Sequence, residues 1–143
     1  MNPTARRNAR QYALQAMYQW QISGSPIHEI EAEFLVHHIK EKVDLEYFKE
    51  LLHSIPKEFD ELDAHMTPFL SRPIAALDPI ELGILRIGTY ELAKRLDVPY
   101  RVVINEALEL TKKFGSIEGF KFVNGVLDQV ARKLRALEIA AKK

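Results

Sequence analysis

Residues 97–107 read DVPYRVVINEA and residues 121–128 read KFVNGVLD, and these two stretches are the most specific pattern in the chain. In the first, a proline stop leads into an amphipathic helix. In the second, Asn124 and Gly125 stand inside a helical pattern although helix propensity disfavours both. Residues of this kind at a helix centre usually have a packing reason, so we expect Gly125 to let a neighbouring helix approach closely. The apolar positions expected to form the core of one bundle are Val103, Ile104, Leu108, Val123, Val126 and Leu127.

Apolar residues recur at helical spacing along nearly all of the 143 residues. No segment alternates apolar and polar residues for long enough to indicate a strand, and no Pro-, Gly- or Ser-rich linker indicates a second domain. We therefore predict an all-α fold, with residues 1–143 forming one compact domain of about six or seven helices.

Capping signals predict where the first helices begin. The first is expected from Thr4, acting as N-cap, to Ile22. Ser25 is expected to cap the second helix, with Pro26 at its first position.

Proline also marks the boundaries of the later helices. Pro56 should kink or break a long helix that starts at Asp44. A short helix or irregular turn follows, and the sequence Asp78-Pro79-Ile80-Glu81 is a strong start signal for a central helix ending near Arg95. The last two helices are expected over residues 100–114 and 119–137, with Lys142 and Lys143 fraying.

Composition limits the class of protein. The chain has no cysteine, which excludes disulfides and thiolate metal sites. It has no apolar run of the ~20 residues needed to cross a bilayer and no signal-peptide pattern at its start. These features predict a cytoplasmic protein.

Charge is segregated along the chain although the net charge is zero. Up to His28 the only charged side chains are three arginines. Residues 29–63 hold eleven acids and four lysines, and residues 101–143 hold nine bases and five acids. If the basic ends meet in the fold, they could form one patch that attracts a polyanion. The alternative is a set of solvated helix faces.

Signals for catalysis are weak. Glu33 with His37 and Glu61 with His65 are spaced four apart, but two ligands do not make a metal site. Asp60 and Asp63 lie on a charged face and are better explained by solvation than by acid–base work. There is no Gly-rich phosphate loop. We expect no enzymatic activity, no metal and no cofactor.

Cations and flat side chains together suggest an RNA surface, because phosphates need cations and unstacked bases need aromatic faces. Three arginines near the N-terminus are expected to lie largely off the buried stripe of the first helix, and Arg10 could share a face with Tyr18. Further candidates stand in the middle connection and near the C-terminal helices: Phe69, Arg72, Lys112, Lys113, Phe114, Phe120, Lys121 and Phe122. The alternative for Phe69 and Phe122 is packing in the core.

These motifs resemble the NusB family of transcription antitermination factors. The resemblance covers almost the whole chain, including Ala5-Arg6-Arg7 with Arg10, Phe69-Leu70-Ser71-Arg72, Arg86-Ile87, Tyr90-Glu91-Leu92 and the two stretches quoted first. It implies two packed bundles of three to four helices. It also implies binding to boxA-containing single-stranded RNA of ribosomal RNA operon leaders, together with NusE, a ribosomal small-subunit protein. NusA, NusG and RNA polymerase would then be indirect partners in a termination-resistant complex.

The resemblance also implies site residues. The RNA surface would comprise Arg6, Arg7, Arg10, Tyr18, Phe69, Phe114, Glu118 and Lys121. The NusE-facing surface would lie around Glu81, Arg86 and Glu91. Three positions depart from the family pattern. Phe69 replaces a tyrosine and loses its hydroxyl, Glu118 stands where an aspartate is familiar, and Pro56 is unusual within its helix.

Two alternatives remain at this point. One is a protein-binding helical scaffold without RNA contact, for which the basic ends would lie far apart. The other is the N-terminal module of a ribosomal RNA cytosine methyltransferase, which would require a following catalytic domain. The length of the open reading frame decides the second.

Overall fold

The computed structural model describes residues 2–141, and all of their regular secondary structure is helical, as predicted. The expected fraying of Lys142 and Lys143 lies outside this range. The chain divides into two compact units between Glu58 and Phe59. Across the described residues, no helix combines the length and the apolar character needed to cross a membrane.

The first unit is organised around two helices that pack against each other. It contains α1 (Pro3–Ser23), α2 (Ile27–Glu33), a π-helical turn (Phe34–His38) and α3 (Leu45–Lys57). Helix α1 packs against α3 through a stripe of fully buried alanines, Ala9, Ala13 and Ala16. Small side chains on one helix leave room for large ones on the other. The side chains from α3 that have no exposed surface are Phe48, Leu51, Leu52 and Ile55.

The caps of the first two helices differ from the sequence predictions. Asn2, not Thr4, caps α1, and its Oδ1 accepts from the Thr4 and Ala5 amides at 2.9 and 3.2 Å. Gly24 ends the helix with a φ of 72°, a left-handed conformation that suits glycine. Helix α2 then begins at Ile27 without a side-chain cap, so the role predicted for Ser25 is wrong.

Pro56 breaks the predicted long helix, as expected. Helix α3 continues one residue past the proline to Lys57, Glu58 adopts a non-helical conformation, and α4 (Phe59–Met66) begins directly after it. Because proline lacks an amide hydrogen and clashes with the preceding turn, a helix ends readily at this point.

The second unit surrounds a central helix. It contains α4, two 3-10 turns (Thr67–Phe69 and Ile74–Ala76), α5 (Pro79–Lys94), α6 (Tyr100–Phe114), α7 (Ile117–Leu134) and α8 (Ala136–Ala141). Between Leu82 and Leu92 every residue of α5 except Gly83 is buried, which confirms the predicted central position. Helices α6 and α7 pack against α5 and against each other.

Capping explains which boundaries of this unit were predicted. Asp78 caps α5 by accepting from the Ile80 and Glu81 amides, and α6 has the predicted bounds. Helix α7 begins two residues before the predicted Gly119 because Ser116 caps it, accepting from the Gly119 amide at 3.0 Å. It ends at Leu134, and the chain turns at Arg135 into the separate helix α8.

Close helix packing occurs at Gly88 and not at Gly125. A Cβ built on Gly88 would lie 2.8 Å from Cδ1 of Leu127, whereas one built on Gly125 would meet nothing within 4 Å. The expected close approach at Gly125 is therefore wrong. The core assignment holds for Val103, Val123, Val126 and Leu127, which are buried; Ile104 and Leu108 are half-buried.

We expect Gly125→Ala to raise the free energy of unfolding by about 0.5–1 kcal/mol, because alanine is the better helix former and its methyl group has free space. Gly88→Ala should lower it, since the methyl group would displace the fully buried Leu127. Urea denaturation of both variants measures the difference. Equal shifts in the same direction would contradict this assignment of the two glycines.

Candidate nucleic-acid interface

Two of the three N-terminal arginines are buried. Arg6 and Arg10 are 8% and 3% exposed, and their guanidinium carbons lie 3.9 and 5.6 Å from the centroid of the Tyr47 ring. Arg6 Nε also lies 3.4 Å from Oδ2 of Asp44. The prediction that these arginines lie off the buried face of α1 is therefore wrong. Burial of the guanidinium groups is tolerated because the Tyr47 ring and the Asp44 carboxylate compensate their charge.

The segment before α3 is tied to α1 by several polar contacts. Asp44 caps α3 by accepting from the Tyr47 amide at 3.1 Å, and its own amide donates to the Ala5 carbonyl at 3.1 Å. The Tyr12 hydroxyl donates to Glu41 at 2.8 Å. Burial, and secondarily this hydrogen bond, raise the pKa of Tyr12, so the phenol stays protonated as the donor. The start of α1 is thereby held in a defined position.

Arg7 and Tyr18 are the exposed members of the predicted set on α1. They are eleven residues apart, which is close to three full helical turns, so they lie on the same face about 16 Å apart along the axis. Arg10 does not share a face with Tyr18, because Arg10 is buried and Tyr18 is 37% exposed. The accessible cation and ring of this helix are therefore Arg7 and Tyr18.

In the second unit, predicted RNA-binding residues gather where α6 meets α7. Phe114 is half-buried at the last position of α6, with the Lys113 ammonium 5.8 Å from its ring centroid. Glu118 and Lys121 are exposed on the first turns of α7. Ser116, which caps α7, lies between Phe114 and these two residues in the sequence. A cation, a carboxylate and a ring thus lie within one short junction.

Phe69 and Phe122 are half-buried in the same unit. Phe69 ends the first 3-10 turn. The Arg72 guanidinium carbon lies 5.5 Å from the centroid of the Phe122 ring. Neither residue is fully buried, so each keeps part of its surface accessible.

Sequence reasoning missed a pocket at the α6–α7 junction. The pocket has a volume of about 350 Å³ and is lined by Thr111, Lys112, Gly115, Ser116, Ile117, Phe120 and Lys121. From the sequence, Phe120 and Lys112 were named as separate candidates in a basic region but were not predicted to line one site. The spacing of Ile117 and Phe120, one turn apart on α7, was the available signal.

The residues expected to face NusE have unequal access to solvent. Arg86 and Glu91 are 7% and 1% exposed. Arg86 donates to both carboxylate oxygens of Asp63, at 3.0 and 2.7 Å. These two side chains therefore do not form an accessible surface in this chain, because both are buried and the charge of Arg86 is paired with Asp63 inside the unit.

Glu81 lies over the first turn of α7. A Cβ on Gly119 would clash with its Oε2 at 2.1 Å, and Oγ of Ser116 donates to the same oxygen at 3.4 Å. Glu81 is half-buried. Of the three predicted partner-facing residues, Glu81 alone retains substantial access to solvent, and it adjoins the α6–α7 junction.

Several acidic and histidine side chains of the described residues form hydrogen bonds or ion pairs. Glu33 pairs with His38 and not with His37, and the Gln19 amide, followed by His38, lowers the Glu33 pKa. Lys94 lies 2.7 Å from Glu61 and lowers its pKa. Among residues 2–141, no group of three or more His, Asp or Glu side chains could hold a metal ion.

Comparison with known proteins places the chain in a family. Residues 7–132 match the sequence model of the NusB family. The chain is 51% identical over 138 residues to the transcription antitermination protein NusB of Hahella chejuensis, covering 96% of this chain and 93% of that protein. It is 50% identical over 141 residues to the protein of the same name from Alcanivorax borkumensis, covering 99% and 94%.

Solved structures agree with the sequence comparison. A NusB–NusE complex with double-stranded RNA matches with a TM-score of 0.80 and 28% identity, over 92% of this chain and 99% of the matched chain. Thermotoga maritima NusB matches with a TM-score of 0.73 and 27% identity, over 88% and 89%. Together with the all-helical fold, these matches establish that the chain belongs to the NusB family.

Proposed function

We propose that this chain is a non-enzymatic, cytoplasmic RNA-binding antitermination factor that binds boxA RNA of ribosomal RNA operon leaders together with NusE. The observation that carries the proposal is the match, over 92% of the chain, to a NusB solved with NusE and RNA. The bound factor would join NusA, NusG and RNA polymerase in a complex that resists termination. The relatives at 50–51% identity carry the name of transcription antitermination proteins, which supports this role over a scaffold or a methyltransferase module.

The proposed mechanism divides the work among residue types. Arg7 and Lys121 are exposed cations that attract phosphates and set most of the salt-dependent affinity. Tyr18, Phe69 and Phe114 each leave part of a ring accessible for a splayed base.

Arg6 and Arg10 contribute differently because they are buried. We propose that they hold α1 against Tyr47 and add positive potential near Arg7 without direct exposure.

NusE would enlarge the binding surface from the side of Glu81. This half-buried carboxylate adjoins the junction that carries Glu118 and Lys121, so a protein bound there could contact RNA held by the junction. Arg86 and Glu91 would support this surface from inside the unit and not by direct contact.

The direct test is a gel shift with boxA RNA, with and without NusE, at a stated salt concentration. Because the matched complex contains double-stranded RNA, the same sequence should be presented both single-stranded and as a duplex. We expect tighter binding to the single strand and a further increase with NusE. Equal affinity for boxA and a scrambled single strand, in the presence of NusE, would contradict the proposal.

We expect Lys121→Ala to weaken boxA binding and to reduce the slope of log K against log salt by about 1, because one phosphate contact is lost. Lys133→Ala is the matched control: it removes an exposed lysine from the same helix, twelve residues further on. The control should leave both quantities unchanged. If the two substitutions had similar effects, the contribution of Lys121 would be explained by net charge and not by a specific phosphate contact.

A further inference from the structure

The pocket at the α6–α7 junction combines an exposed apolar side chain with an aromatic ring. Ile117 is 88% exposed and Phe120, one helical turn away, is half-buried. At this exposure the Ile117 side chain gains little from folding. Because Ile117 and Phe120 line one pocket, a ligand in that pocket would cover both side chains. The two side chains form one apolar wall of a space of about 350 Å³.

Cations flank this wall. Lys112 and Lys121 line the same pocket and both are exposed. The Lys112 ammonium lies 5.8 Å from the centroid of the Phe120 ring. Its ion pair with Glu109, at 3.5 Å and with a side chain 60% exposed, is weak enough to yield to a phosphate. The pocket thus combines an aromatic face with two positive charges.

The polar groups of the pocket are already engaged within the chain. Oγ1 of Thr111 donates to the Ala107 carbonyl at 2.9 Å, and Oγ of Ser116 is held between the Gly119 amide and Glu81. These side chains therefore have little capacity to read the hydrogen-bonding edge of a base. The site is suited to stacking and phosphate attraction, which tolerate any base.

We propose that this pocket receives one unstacked nucleobase of bound RNA, with Phe120 as the stacking face, Ile117 as the opposing apolar edge, and Lys112 and Lys121 at the flanking phosphates. The proposal rests on the RNA binding proposed above and adds Lys112, Ile117 and Phe120 to the binding residues. It assigns a function to Ile117, whose side chain is almost fully exposed. It also predicts that base identity at this nucleotide matters little.

The test uses boxA RNA carrying 2-aminopurine at one position at a time, with NusE present. We expect binding to change the fluorescence of the wild-type complex at more than one position, because other rings are also proposed to contact bases, and we expect Phe120→Ala to abolish the change at one of them. Affinity should fall about 5- to 150-fold, the range for loss of one aromatic–base stack. The salt slope should stay the same, because no phosphate contact is removed. Phe120→Tyr should restore both the fluorescence change and the affinity.

Controls separate the possible failures. Ile117→Ala removes a side chain that is 88% exposed, so it leaves folding unaffected and should reduce the same fluorescence change even if Phe120→Ala lowers the melting temperature. Leu137→Ala, also in an exposed position on the second unit, should have no effect.

If wild-type protein binds no RNA, the proposed function fails. If it binds RNA and the Phe120 and Ile117 variants bind equally well with an unchanged profile, the pocket assignment alone is overturned. Weaker binding of NusE, with RNA affinity intact, would assign the pocket to a protein partner instead and also overturn it.

Discussion

Arg135→Ala is expected to lower the free energy of unfolding by about 3–5 kcal/mol, the range for breaking a buried charged network. Arg135 is 4% exposed, and its guanidinium donates to the carbonyls of Leu92, Glu91 and Arg95 at 2.8, 3.1 and 2.9 Å. These carbonyls lie at the C-terminal end of α5. The Glu91 and Arg95 carbonyls also accept from the Arg95 and Val98 amides, at 3.0 Å each, so alanine would remove one of their two donors. It would also remove the Arg135 donor from the Leu92 carbonyl and the cation from Glu138.

Glu138 extends the effect of Arg135 to a second helix. It pairs with the guanidinium and also accepts from the Tyr100 amide at 2.9 Å, a donor in the first turn of α6. Loss of Arg135 would therefore loosen both the end of α5 and the start of α6.

Urea denaturation and thermal melting measure this loss. The matched control is Arg132→Ala, which removes the same residue type from the end of α7 where its pair with Asp128 is exposed. The Arg132 side chain is 68% exposed, so we expect a change of at most about 0.5 kcal/mol. Comparable losses in the two variants would show that the buried carbonyl contacts of Arg135 contribute little.

Arg86→Ala is expected to produce a loss of similar size, about 3–5 kcal/mol, for a related reason. Arg86 is 7% exposed, forms a two-point pair with Asp63, and lies with its guanidinium carbon 3.7 Å from the centroid of the Phe59 ring. Removing the arginine leaves the Asp63 carboxylate, 18% exposed, without its cation.

A double substitution separates the energy of the ion pair from the cost of leaving one charge buried without its partner. Arg86→Met alone leaves Asp63 uncompensated, whereas Arg86→Met with Asp63→Leu replaces both charges with apolar groups of similar size and should recover most of the stability. The pair between Lys94 and Glu61 joins the same two helices but is exposed, so Lys94→Ala should leave the urea midpoint nearly unchanged. No recovery in the double variant would mean that the ring contact, and not the ion pair, dominates.

Local signals predicted the parts of the fold that local chemistry determines. The Asp78 cap with Pro79 at the first helical position placed α5 correctly, and Pro99 together with Gly115 bounded α6. Pro56 marked the break between α3 and α4. In each case a residue acts on its own backbone within a turn, so its neighbours in sequence suffice.

Predictions failed where a distant residue supplies the deciding contact. Arg6 and Arg10 were assigned to the exposed side of α1 because charge usually means exposure, but Tyr47, some 40 residues away, covers them. Gly125 was expected to allow close packing because it stands in an unusual local pattern, and Gly88 was not considered. The short distance from a Cβ on Gly88 to Leu127 shows that the close approach occurs there. Neither contact has a signature in a single sequence.

The candidate site was predicted in outline only. Glu118 and Lys121 are exposed, and with Phe114 they gather at one junction, because residues close in sequence remain close in space. The pocket around Phe120 was missed, since Phe120 and Lys112 were named as separate candidates and their positions in the sequence do not show that they line one cavity. The burial of Arg86 and Glu91 depended on Asp63 and on the packing of α5, which periodicity alone does not reveal.

The contacts of Arg135 bear on where a minimal folding fragment of this chain must stop. The region recognised by family similarity ends at residue 132, three residues short of Arg135. A protein trimmed to residues 7–132 for expression would keep the match to the family model and would lose Arg135 and Glu138, whose side chains contact the end of α5 and the start of α6. A fragment ending beyond Glu138 retains them. The match to the family model and the contacts that complete these two helices therefore end at different residues, and recombinant fragments should extend through the second boundary.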